Sequence, residues 1–257
     1  MRRKAGGARV LIDRRWLAAG FVVAAALAPQ LSCAATPNAH PDFSGVWTWY
    51  AEAGKKPFAP PGSEASLPLT PEGQQRVKAY RDLVGPDDNP GAHCLGSGMP
   101  ESAMFSGPYP MEIIQRPEQL TVVYEAHTEM RRWYLGAKII AEGDRLPARN
   151  GYSTARWEGQ DLIVETGSLK EQEDTGYPHS DQAHITERYH MATDSQGEKV
   201  LAARITLTDP VFYTQPVVLE KKWALDPKGI LLPYECDEEA WLNRLEALQK
   251  QKGAQKP

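Results

Sequence analysis

The stretch 178–191, P-H-S-D-Q-A-H-I-T-E-R-Y-H-M, decides how this chain is interpreted. It holds three of the six histidines of the protein, and its second half alternates as a β-strand does. Because successive strand side chains point to opposite faces, Ile185, Glu187, Tyr189 and Met191 share one face. If that face lies in a core, Glu187 is buried with it, and a carboxylate among apolar groups must find a partner or take up a proton. Glu187 is therefore the best candidate for chemistry, and it does not by itself name a reaction.

Short strands of the same kind account for most of the chain. The alternation is clearest at 199–208, where Leu201, Ala203, Ile205 and Leu207 share one face and Arg204, Thr206 and Thr208 share the other. The pattern predicts nine or ten strands, at 42–50, 112–116, 119–126, 129–135, 152–157, 161–166, 184–191, 199–208, 217–225 and 230–234.

Two helices and one long loop are predicted beside the strands. Thr70 can cap a helix that runs to about residue 83, and a second helix is predicted at 237–249. The stretch 85–110 contains ten glycines and prolines, which predicts a loop without regular structure. The order lacks the strand–helix alternation of a parallel sheet. We therefore predict an all-β fold, an antiparallel up-and-down barrel of about 8–10 strands, because closure hides the sheet edges. A β-sandwich is the alternative.

The beginning of the chain predicts export. Six basic residues precede an apolar run at 16–27. The small residues of 32–35 follow the run, as at a signal-peptidase site. The run is shorter than the roughly 20 residues that a membrane-spanning helix needs. We predict a cleaved signal at 1–35 and a periplasmic or secreted protein without stable membrane insertion after cleavage. Arg14 and Arg15 allow twin-arginine export, and Cys33 leaves a lipoprotein anchor as an alternative. A single domain is predicted at 36–250, with a disordered tail at 251–257.

Charge and cysteine content narrow the classes of partner. The protein has 29 basic and 33 acidic residues, and the first 35 positions hold six of the basic residues and one of the acidic residues. The remaining chain has 23 basic and 32 acidic residues, a net charge of −9. A body this acidic excludes a typical nucleic-acid binder, since such affinity depends on basic contacts to phosphate. Cys94 and Cys236 remain after cleavage, and an exported compartment permits a disulfide between them. The alternative is two unrelated buried thiols.

Several motifs spread over the predicted domain resemble a known group of proteins. They are D-F-S-G-V-W at 42–47, M-E-I-I-Q at 111–115, Y-E-A-H at 124–127, R-W-E-G at 156–159, L-I-V-E-T at 162–166, H-I-T-E-R-Y at 184–189 and T-D-P at 208–210. Together they resemble an uncharacterised family of exported bacterial proteins with a lipocalin-like (calycin-type) β-barrel. The resemblance implies a lipocalin-like barrel and export, and it implies no catalytic assignment. The acid that usually follows the W-E-G turn is displaced here by Gln160.

The candidate catalytic residues lie on two predicted strands. If Glu125 and His127 face the lumen near Glu187, they form a carboxylate–imidazole pair able to move protons at neutral pH. Arginines such as Arg131 could hold an anionic or carbonyl-bearing ligand. The structural alternative is salt bridges across strands, for example from Glu125 or Glu187 to Arg132 or Arg188. The candidate ligand-binding residues are Arg132, Arg156, His184, Tyr124, Trp157, Tyr189 and His179.

Motifs for cofactors and metals are missing from the sequence. His179 and His184 straddle a loop and a strand, unlike the H-E-x-x-H helix of metalloproteases, and neither predicted mature cysteine lies in a C-x-x-C motif. No G-x-S-x-G elbow, G-x-G-x-x-G fingerprint, P-loop or haem attachment motif is found. We therefore predict no metal and no cofactor.

Three functions remain. The first is a barrel that binds a small hydrophobic or aromatic molecule, the common use of a closed barrel of this size. The second is a cofactor-free lyase, isomerase or hydrolase with Glu187 as base and His127 as acid or partner. The third is a structural envelope protein, which predicts a filled interior and no inward carboxylate. The oligomeric state and the ligand are not encoded in any recognisable motif.

Overall fold

A closed barrel of nine strands forms the body of the protein. The computed structural model describes residues 40–50, 67–85, 88–104, 109–136, 139–237 and 239–254. Each strand pairs with the next in chain order, and the last pairs with the first, so that the predicted all-β fold and the barrel are confirmed. The strands are β1 (Gly45–Trp49), β2 (Met111–Arg116), β3 (Gln119–Tyr124), β4 (Met130–Leu135), β5 (Tyr152–Glu158), β6 (Asp161–Gly167), β7 (His184–Thr193), β8 (Lys199–Thr208) and β9 (Val217–Asp226).

One strand pair departs from the antiparallel order. β4 and β5 run parallel, with Trp133 opposite Ser153 and Leu135 opposite Ala155. A tight hairpin cannot join parallel strands. The chain therefore reaches β5 through a longer connection, of which residues 139–151 are described.

Within the described residues, three α-helices accompany the barrel. In α1 (Pro71–Leu83), the Thr70 hydroxyl accepts a hydrogen bond from the Gly73 amide at 3.0 Å, which confirms the predicted cap. A short helix, α2 (Glu101–Met104), interrupts the stretch predicted to have no regular structure. The last helix, α3 (Glu239–Ala254), is longer than predicted and includes residues 251–254 of the expected disordered tail. The strand expected at 230–234 does not form.

The two ends of the barrel differ. The hairpin end carries the tight turns β2–β3, β5–β6 and β7–β8, and the loop end carries the longer connections. Inside, Trp47, Trp133, Tyr189 and Trp223 are at most 1% exposed. The loop end is covered by fully buried apolar side chains from the connections, among them Met99, Tyr177 and Phe212. The apolar core therefore continues from the barrel interior into the loops above it.

A disulfide joins two of the connections. Cys94 is bonded to Cys236, which confirms the predicted pair. No helix within the described ranges is long and apolar enough to cross a membrane. The predicted signal at 1–35 lies outside the described residues.

Candidate functional site

Glu187 lies in the barrel interior and is fully buried. The alternation of β7 places it there with Ile185 and Tyr189. Its partner is Arg131 on β4, 3% exposed, which donates from Nη1 to Oε1 at 3.0 Å and from Nη2 to Oε2 at 2.5 Å. This two-pronged geometry is the strongest form of an arginine–carboxylate pair. The carboxylate has thus found a partner, and that partner is Arg131, not Arg132 or Arg188.

Hydroxyl groups complete the network around the pair. Tyr189 donates to Glu187 Oε1 at 2.6 Å, and Thr166 reaches Oε2 at 3.4 Å. Arg131 Nη2 also donates to Ser153 Oγ at 3.2 Å and to Thr166 Oγ1 at 3.1 Å. Both carboxylate oxygens are occupied, so Glu187 as arranged offers no free oxygen to take a proton from a substrate.

Electrostatics favour the charged form of Arg131 and the neutral forms of the neighbouring tyrosines. Burial, the largest single effect, lowers the pKa of Arg131, but Glu187 together with Tyr124 and Tyr189 outweighs it and holds that pKa well above its ordinary value. Burial, reinforced by Glu187, also raises the pKa of Tyr189 well above its ordinary value, so its hydroxyl stays a donor. Burial raises the pKa of Tyr124 to about 12. The interior therefore contains a locked ion pair among aromatic rings.

The expected pairing of Glu125 and His127 with Glu187 is wrong. β3 ends at Tyr124, and the chain then turns through Ala126–Thr128 with His127 at φ 56°. Glu125 accepts a hydrogen bond from the Leu232 amide at 2.7 Å, and His127 Nε2 donates to the Gly91 carbonyl at 3.1 Å. Neither side chain is on the strand face that lines the barrel, because the strand stops before reaching them.

Three predicted ligand-binding residues lie on the outside of the barrel. Arg132 follows the inward Arg131, so the alternation turns it to solvent. Arg156 pairs with Glu158 and Glu165, and His184 Nε2 lies 3.0 Å from Glu165 Oε2, all on the outer surface. None of the three therefore lines the barrel interior beside Glu187.

His179 is buried in the loops that cover the loop end. Its Nε2 accepts from Gln172 Nε2 at 2.9 Å, and its Nδ1 donates to the Tyr177 carbonyl at 2.9 Å, which defines a neutral imidazole. Burial is the main effect that lowers the pKa of His179, with Tyr177 and Asp209 acting in the opposite direction. Next to it, the Ser180 hydroxyl donates a hydrogen bond to Asp209 Oδ1 at 2.9 Å. These contacts hold the loop cover together and leave His179 without access to the barrel interior.

Acidification is expected to weaken the protein through His179. Its folded pKa lies below the unfolded value of about 6.5, so the unfolded chain binds the proton more readily. Stability should be fully present above pH 6.5 and fall as the pH drops below it, by up to about 1.4 kcal/mol per pH unit. Urea unfolding of wild type and His179→Gln between pH 7.5 and 5.0 measures this. The variant should show a shallower loss, and equal slopes for the two proteins would contradict the prediction.

An open cavity lies at the hairpin end of the barrel. Its volume is about 450 Å³. The inward faces of three strands line it with Gln115, Leu135 and Trp157, and Arg116 stands at its rim. Trp157 is half-buried, so part of its ring faces the cavity. Of the predicted ligand-binding residues, Trp157 alone is among the side chains that line this cavity, since Tyr124 and Tyr189 belong to the packed interior.

The chain segment before β1, residues 40–44 and here called the leader, forms the other wall of the cavity. Its side chains His40, Asp42 and Ser44 border the cavity opposite the barrel strands. Sequence reasoning did not identify them or Gln115 as site residues, because the leader meets residues far away in the chain. The D-F-S-G-V-W motif at 42–47 overlaps the leader, but the motif did not indicate that the leader borders a cavity.

Among the side chains that the structure describes, no three His, Cys, Asp or Glu residues lie close enough to hold a metal ion. Comparison with protein-family models, with curated proteins and with solved structures finds no match to this chain.

Proposed function

We propose that the protein binds a small planar molecule in the cavity at the hairpin end, with Trp157 as the main contact. The observation that carries the proposal is an open cavity of about 450 Å³ against a half-buried tryptophan, directly above a filled barrel. Small-molecule sites typically measure about 300–1,000 Å³ and combine apolar walls with a few polar groups. This cavity has that size, and it sets the apolar surface of Leu135 and Trp157 beside a larger number of polar side chains.

The packed interior supports a site at the mouth of the barrel. The tilted rings of Trp133 and Tyr189 have centroids 4.7 Å apart, and the stacked rings of Tyr189 and Trp223 have centroids 6.3 Å apart. Beside them the Arg131–Glu187 pair is enclosed on all sides. A ligand in the lumen would have to displace these rings and break a buried ion pair, which is energetically costly.

The cavity also offers the contacts that a planar ligand needs. Leu135 and Trp157 supply apolar and aromatic surface. Arg116 and Asp42 bring opposite charges to the rim, so the cavity selects by shape and hydrogen bonding more than by net charge. The protein in this proposal is a binding protein, and its barrel is the rigid support of the site.

Removing the Trp157 ring is expected to abolish most of the binding. Indole, benzoate and benzamidine serve as neutral, anionic and cationic planar probes, and NMR detects the indole N–H signals of the protein. Trp157→Phe identifies the Trp157 signal, which a binding probe should shift. Trp157→Ala should weaken that probe at least tenfold, since aromatic contacts are worth about 0.5–1.5 kcal/mol beyond the area they bury.

A matched control separates the site from general surface binding. Tyr152 stacks on Tyr134 at 5.0 Å, away from the cavity, and Tyr152→Ala should leave probe affinity unchanged. Two results would reject the proposal: no planar probe perturbs Trp157, or the probes perturb Trp133 of the interior instead.

A further inference from the structure

The leader places one of its own rings on Trp157. The His40 imidazole stacks on the Trp157 ring with centroids 4.5 Å apart and an interplanar angle of 3°. His40 Nδ1 lies 3.1 Å from the carbonyl oxygen of Gly159, at the β5–β6 turn. A carbonyl only accepts, so Nδ1 carries the hydrogen in this contact. The contact combines a parallel aromatic stack with one directed N–H donor.

The rest of the leader is held in place independently of His40. The Gln115 side chain accepts from the Phe43 amide at 3.0 Å and donates to the Pro41 carbonyl at 3.0 Å. Phe43 is fully buried, and its carbonyl accepts from Trp47 Nε1 at 2.9 Å. Loss of the imidazole would therefore leave the backbone of the leader where it is and would expose the face of Trp157.

We infer that the His40 position on Trp157 is a subsite for a planar heteroaromatic ring bearing an N–H donor, and that His40 occupies it as an internal competitor. The inference rests on the proposed function and names the ligand class for that site. A ligand ring that replaces the imidazole meets the same ring face and the same acceptor, the Gly159 carbonyl. Its remaining atoms extend into the adjoining cavity, which the leader and Trp157 both border.

If His40 competes with the ligand, His40→Ala should raise the affinity for a ring that carries an N–H donor. Benzimidazole, which carries the ring N–H, should bind the variant at least tenfold more tightly than wild type, because the ligand no longer displaces an internal ring. 1-Methylbenzimidazole has the same ring without the N–H and should gain less than threefold. Isothermal titration of the full-length proteins measures both affinities, with circular dichroism to confirm that the variant is folded.

Two further variants locate the effect. His190→Ala removes an exposed imidazole from the outer face of β7 and should leave benzimidazole affinity at the wild-type value. Adding Trp157→Ala to His40→Ala should remove the gain. Retention of the gain in that double variant would place the ring elsewhere and overturn the inference.

The inference and the proposed function fail in different ways. If wild type binds planar probes at Trp157 but His40→Ala gains nothing for benzimidazole, the inference is wrong and the proposed function stands. Equal gains for benzimidazole and its methyl derivative would also overturn it, since the donor to Gly159 would then have no role. If neither protein binds any planar probe, both are wrong.

Discussion

Arg131→Met is expected to lower the free energy of unfolding by about 3–5 kcal/mol, because it leaves the Glu187 carboxylate buried without its cation. Glu187 is fully buried, and its remaining donors would be the hydroxyls of Tyr189 and Thr166. Domains of this kind are stable by only about 5–15 kcal/mol, so the loss is a large fraction of the total. Urea unfolding followed by circular dichroism and tryptophan fluorescence measures it.

The neighbouring residue provides the matched control. Arg132→Met removes the same charge from the outer, exposed face of the same strand and should change stability by no more than about 0.5 kcal/mol. Replacing both partners, as in Arg131→Met with Glu187→Leu, should recover much of the loss, since an apolar pair needs no compensating charge. A loss below about 1 kcal/mol for Arg131→Met alone would contradict the enclosed ion pair.

Replacing Cys94 and Cys236 together by alanine is expected to lower stability by about 2–5 kcal/mol. The disulfide closes a loop with a sequence separation of 142 residues. In the chain-entropy description, a loop of that length restricts the unfolded chain by about 5 kcal/mol, and measured effects are typically 2–4 kcal/mol. Guanidinium unfolding of the oxidised wild type and the double variant gives the difference.

Reduction offers the control for this second prediction. Dithiothreitol should shift the unfolding midpoint of wild type towards that of the double variant and leave the double variant unchanged. Near-ultraviolet circular dichroism should remain similar in both, because the bond joins two connections and no barrel strand. A wild-type midpoint unaffected by reduction would show that the disulfide contributes nothing to stability.

The sequence patterns predicted the strands better than their ends. The alternation of β7 correctly put Glu187 on the same face as Ile185, and the need of a buried carboxylate for a partner followed from its chemistry. The strand expected to end at residue 126 stops at Tyr124, because Glu125 adopts helical angles and His127 and Thr128 then adopt positive φ angles of 56° and 50°. Residues other than glycine rarely adopt positive φ angles, so the amino-acid composition did not predict where this strand ends.

Which arginine pairs with Glu187 depended on distant parts of the chain. Arg131 and Arg132 are neighbours in sequence, yet only Arg131 points inwards. Both faces of the preceding strand are mixed in composition, so the pattern alone left the orientation of β3 and β4 open. The register of the closed barrel decided it by bringing Arg131 and Glu187, 56 residues apart, into contact.

By itself, the sequence determined the all-β class, the alternation within each strand, the cap of α1 and the possibility of the Cys94–Cys236 bond. These features depend on neighbouring residues or on counting residue types, and local physical chemistry is enough to predict them. Only the tertiary structure decided that Glu187 is locked by Arg131 and that His40 lies on Trp157. Both contacts join segments that are far apart in the chain, and closing the barrel is what determines which of them meet.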